Sequence, residues 1–166
     1  LVGSEMCIRD SVGTAPVIGY HYGAGNHREL KGLLKRSLVI IGICSAAMVV
    51  AGEALAWPLS QVFVGYDQGL LHMTLRGFVI YSFSFLFAGI SIFGSSFFTA
   101  LNNGLVSAVI SFLRTLVFQV AAVLILPLFW KLDGIWASMV VAELLASVIT
   151  VLFLVGKRKQ YHYAGR

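Results

Sequence analysis

Four apolar stretches, at residues 37–57, 78–98, 105–129 and 135–155, each hold the roughly 20 apolar residues that a bilayer-spanning helix needs. They leave this chain few folds. The alternative, a soluble core, fails on composition. Hydrophobic residues make up 58% of the chain and charged residues only 11%, where a soluble domain carries about 25% charged. A chain of 166 residues encloses too small a core to hide that much apolar surface.

Cationic residues bracket the four stretches: Arg28, Lys31, Lys35 and Arg36 before them, Lys157, Arg158 and Lys159 after them. The net charge of +5 is compatible with nucleic acid, but these residues flank spans and form no face. Positive-inside bias accounts for them, and no nucleic-acid partner is expected. Two cytoplasmic clusters require an even number of crossings between them, and four is even. The connection around Tyr66 and Asp67 is then external, the Asn102-Asn103-Gly104 turn internal and Lys131-Leu132-Asp133-Gly134 external. Pro58 is expected to limit the first span. Residues 58–77 read as a partly helical interfacial linker, with Trp57 and Tyr66 at headgroup level. Pro127 interrupts the third span near its outer end.

Residues 1–10, Leu-Val-Gly-Ser-Glu-Met-Cys-Ile-Arg-Asp, are what CTC GTG GGC TCG GAG ATG TGT ATA AGA GAC encodes, a common sequencing adapter read in frame. A translated artefact is expected there, with a genuine short N-terminus as the alternative. Setting it aside leaves Cys44, within a span, as the remaining cysteine; a small buried thiol is the ordinary reading. Neither a disulfide framework nor a zinc spacing is present, so no metal or cofactor site is expected. Residues 11–25 read as the end of a severed transmembrane helix and a glycine-rich turn. Residues 26–166 read as an amphipathic lead-in, four spans and a basic cytoplasmic tail.

Three charged residues fall within the spans: Glu53, Arg114 and Glu143. Such charges are costly in hydrocarbon and face a partner or a watery cavity. At 1.5 Å rise per residue, Arg114 lies ~15 Å from the inner end of its helix and Glu143 ~13 Å from the outer end of the next. In a layer of about 30 Å these depths nearly coincide, so the two side chains are expected to meet. Three readings stay open: a structural ion pair pinning two helices, a cavity-lining role with substrate or ions, or Arg114 snorkelling inward while Glu143 stays protonated. Glu53, about one turn from the outer boundary, reads as a wetted interfacial carboxylate.

Small and polar residues form stripes at helical spacing: Ser84, Ala88, Ser91 and Ser95 on the second span, Ser107, Ser111, Thr115 and Gln119 on the third. Helix packing and pore lining both fit such stripes. Gln119 is the best single candidate for a polar cavity contact. His21, at the end of the severed helix, reads as a passive interfacial side chain or a proton sensor. No nucleophile–base set, metal-ligand spacing or phosphate-binding glycine loop is visible, so no enzyme is expected.

The segment Ala15-Pro16-Val17-Ile18-Gly19-Tyr20-His21-Tyr22-Gly23-Ala24-Gly25, followed by Arg28 and the basic run, resembles the MATE family of multidrug and toxic-compound extrusion transporters. Pro16, Tyr22, Gly23 and Ala24 match the family's Pro-x-x-x-x-x-Tyr-Gly-Ala element, which ends its eighth helix. The stretch Phe97-Phe98-Thr99-Ala100-Leu101-Asn102-Asn103-Gly104, then Ser111-Phe112-Leu113-Arg114, continues the likeness. So do Leu132-Asp133-Gly134-Ile135-Trp136 and Ala142-Glu143, and the bacterial MepA-like branch is the most similar. The resemblance implies an all-α membrane fold: the end of one helix and four more from the carboxyl-terminal lobe of a twelve-helix antiporter, the amino-terminal lobe being absent. It implies a bacterial inner-membrane location, Na+ or H+ as coupling ion, and export of small cationic organic compounds by alternating access. The sequence departs from the family at His21, where Asn is common, and in residues 78–98, which lack the acid some members use for cation binding. A related flippase for lipid-linked sugars and a small four-helix subunit or scaffold are the competing readings.

Overall fold

The structure, a computed structural model, describes residues 2–157, with side chains from Gly13 onward. The side chains of the adapter-like residues 1–10, and the tail cations Arg158 and Lys159, lie outside that range. Among the described residues all regular structure is helical: α1 (Val2–Gly23), α2 (His27–Val64), α3 (Gln68–Ser82), α4 (Ser84–Ala100), α5 (Gly104–Phe112), a π-helical segment (Leu113–Phe118) and α6 (Gln119–Lys157). Helices satisfy their own backbone groups, which is what hydrocarbon demands of a single crossing segment. Three stretches are long and apolar enough to cross a membrane: His27–Val64, Gln68–Ala100 and Gly104–Lys157. The last has 54 residues and is folded in two at Lys131, where φ is 49°. It therefore supplies two antiparallel arms, so the described residues make four crossings.

Boundaries differ from the sequence reading in three places. Helix α2 runs through Pro58 to Val64. Residues 58–77, read as partly helical, are helical except for Gly65–Asp67 between α2 and α3. Likewise Pro127 lies inside α6, and the chain reverses at Lys131 instead. Membrane helices tolerate proline because local adjustment and neighbouring groups re-satisfy the carbonyl it frees. Gln61, Gln68, His72 and Arg76 belong to helix turns on either side of the α2–α3 connection, and Asp67 lies within it.

Two joints at the same end of the bundle share one construction. At the end of α1, Gly25 takes φ +68°, its N–H donates to Tyr22 O (3.1 Å), and Asn26 N–H donates to His21 O (2.9 Å). At the end of α4, Asn102 takes φ 58°, its N–H donates to Thr99 O (3.0 Å), and Asn103 N–H donates to Phe98 O (2.9 Å). Both close the last helical carbonyls through one left-handed residue, a conformation open to Gly and Asn at little cost. Asn103 Oδ1 then accepts from Val106 N–H (3.3 Å) and caps α5. At the opposite end Asp67 Oδ1 caps α3, accepting from the N–H groups of Gly69 (2.8 Å) and Leu70 (3.3 Å). There too Arg76 reaches Asp133 at 3.1 Å, both well exposed.

Helix α4 is the hub, touching α1, α2, α3, α5 and α6. Its Phe93, Phe97 and Phe98 are buried with Ile18, Leu30, Ile41, Val106 and Ile110, and Phe98 meets Phe153 edge-on. Close helix approach depends on glycine. A Cβ at Gly94 would collide with the Thr150 methyl, and one at Gly77 with the Trp136 ring. The facing arm of α6 buries Gly134, Ser138, Ala142, Ala146, Thr150 and Leu154, one every four residues. Of these, Thr150 lies against Gly94 of α4, while Gly134 packs on Leu126 and Pro127 of the first arm; small residues let helices approach closely in lipid.

Candidate functional site at mid-membrane depth

The structure brings Arg114 and Glu143 together. Arg114 Nε donates to Glu143 Oε1 (2.9 Å) and Oε2 (3.0 Å), and Nη2 donates to Oε1 (2.8 Å). The guanidinium thus presents one edge to the carboxylate, a planar charge-assisted fork. Side-chain exposure is 26% for Arg114 and 17% for Glu143, so the pair is neither sealed nor open. One turn further on, Gln119 Nε2 donates to Met139 Sδ at 3.4 Å.

These two contacts share one helix face because of the π segment. On an α-helix, residues five apart point about 140° away from each other. Residues 139 and 143 are four apart and line one face of their own arm, so an α-helical partner strand would offer 114 and 118. Here Gln119 N–H bonds Arg114 O, an i→i+5 closure, and the extra residue swings Gln119 into the position that Phe118 would otherwise take. Hydropathy gives no warning of this insertion. Met139 and the buried small residues Gly134, Ser138, Ala142 and Ala146 were likewise missed at sequence level, although a small residue every fourth position was a readable signal for close packing.

Below the pair runs a ladder of hydroxyls. Ser95 Oγ lies 2.9 Å from both Ser107 Oγ and Ser111 Oγ, and Thr99 Oγ1 lies 2.7 Å from Ser107 Oγ. Ser107 and Ser111 thus join α5 to α4, which favours packing over pore lining for these members of the stripes. Ser84 and Ser91 instead bond back to Tyr81 O and Phe87 O of neighbouring turns. Thr115 is exposed on the π segment.

The remaining candidates lie elsewhere. Pro16, Tyr22, Gly23 and Ala24 stand on the end of α1, which packs on α4 and α2; Tyr22 leans on the core. His21 is half-buried, edge-on to the Tyr20 ring at 5.5 Å. Glu53 is exposed on α2, and Cys44 is half-buried there. Among the described residues no three His, Cys, Asp or Glu side chains converge.

A family model, MatE, matches residues 10–125, well over half the chain. The chain belongs to the MatE family. It is accordingly a multi-pass membrane protein of a family of transporters rather than enzymes. The match takes in the Pro16–Ala24 element, the hydroxyl ladder, Arg114 and Gln119, and ends before Glu143. No curated protein and no solved structure matches this MatE chain.

Proposed function

We propose that this MatE chain is the carboxyl-lobe part of a cation-coupled efflux antiporter, driven by Na+ or H+ and exporting small cationic organic compounds by alternating access. The observation that carries the reading is an ionisable pair, Arg114–Glu143, held between two crossing helices of a MatE-type chain. Charged residues within spans commonly mark substrate or ion pathways, and this pair keeps 26% and 17% side-chain exposure. The pair also pins the two arms, and a pinned hairpin can move as one unit when one lobe rocks against another. The reading includes a bacterial inner membrane, the MepA-like branch, a cytoplasmic carboxyl terminus and an amino-terminal lobe on the same polypeptide. Alone, the described helices lack the opposing half that alternating access requires.

Dye efflux from cells expressing the complete gene, with and without sodium, tests this. Ethidium retention should fall on expression. A sodium requirement would assign Na+, and insensitivity to sodium with loss on collapse of the proton gradient would assign H+. Unchanged retention, with lipid-linked sugar translocation restored in a flippase-deficient strain, would overturn the exporter in favour of a flippase.

A further inference from the structure

On the face of the bundle where α2, α4 and the second arm of α6 meet there is an open groove of about 640 Å3. Its walls are aliphatic, among them Leu38, Ile90 and Val151, and its two polar side chains, Lys31 and Lys35, stand exposed at one end. We infer that this groove is a binding site for an anionic glycerophospholipid, with the headgroup phosphate at Lys31 and Lys35 and an acyl chain along the wall toward Gly42.

Shape, length and charge all select that occupant. From Lys31 to Gly42 the helix rises ~16 Å, close to the depth of one leaflet in a hydrocarbon layer of about 30 Å. A Cβ at Gly42 would meet nothing within 4 Å, so the far end is open space. The volume is in the range of ligand sites, roughly 300–1,000 Å3. A packed protein helix would find no small-residue seam here and would have to cover two lysines. An amphiphile with one anionic end leaves the ammonium groups at headgroup level and fills the apolar part. Basic pockets between transmembrane helices recognise such headgroups, and the lysine stems extend the apolar wall.

Native mass spectrometry of the full chain in detergent reads the site directly. Phosphatidylglycerol and phosphatidylcholine with identical acyl chains are titrated in turn. Phosphatidylglycerol should bind about five-fold more tightly per lysine, so roughly 25-fold overall. The double variant K31Q/K35Q should lose that preference while still binding phosphatidylcholine. G42L, placed in open space, should weaken both lipids several-fold and keep their ratio. R28Q/R36Q, which removes equal charge outside the groove, should keep the preference. Circular dichroism of each variant verifies helicity. Equal binding of the two lipids by the unaltered chain, equal loss in both double variants, or undiminished binding in G42L would overturn the site. The readout needs no transport, so it stands or falls apart from the efflux assay.

Discussion

A charge inside a bilayer is tolerable only while its partner stays in place, and Arg114 and Glu143 show how little separates support from liability. The two side chains share three hydrogen bonds between 2.8 and 3.0 Å. Removing one partner strands the other, which in buried pairs costs about 3 kcal/mol or more, whereas replacing both by apolar residues is often neutral. R114M and E143L alone should therefore each lower stability by about 3 kcal/mol, and R114M/E143L together should recover most of it. Unfolding by dodecyl sulfate in mixed micelles measures all three. A double variant as unstable as the sum of the singles would show that the pair contributes more than mutual neutralisation. Gly94 presents the converse case, since the space it leaves is filled by the Thr150 methyl. G94A should cost about 1–3 kcal/mol through overpacking. Adding T150S, which deletes the colliding methyl, should return part of that loss in the same assay.

Helices and their joints were legible to different degrees. The depths of Arg114 and Glu143 follow from counting residues, because rise per residue is fixed and the turn at Lys131 is short. The extent of α2 did not follow, because Pro58 breaks a helix in water more readily than in lipid. Polar residues such as Gln61 and Arg76 read as part of a partly helical linker, yet they decorate helix turns on either side of a three-residue connection that Asp67 closes. Least legible was the π segment, since one inserted residue leaves composition unchanged and shows only in which residue faces Met139. That gives a test at this scale. With Cys7 and Cys44 replaced by Ser, the pair Q119C/M139C should cross-link under copper phenanthroline, and F118C/M139C should not. Deleting Val117 should leave both results unchanged, because in the restored α turn Gln119 becomes the fourth residue after Arg114 and keeps its place opposite Met139.

Across the whole molecule, four crossings put the start of α2 and the end of α6 on one side of the membrane. Single cysteines at Arg28 and Lys157 should react with a membrane-impermeant maleimide from the same side, and one at Gly69 from the other, in intact cells against inverted vesicles. Labelling of Arg28 and Lys157 positions from opposite sides would contradict the reversal at Lys131. The ends of the bundle also differ in how they are fastened. One holds its joints through backbone closures at Gly25 and Asn102, which ions in solution do not weaken. The other adds the exposed Arg76–Asp133 pair, which salt screens. Stiffness should consequently be graded along the membrane normal. Amide exchange should quicken in 1 M salt around residues 67–76 and 131–134 and stay level around residues 20–26 and 98–106, so ionic strength acts as a control on one rim alone.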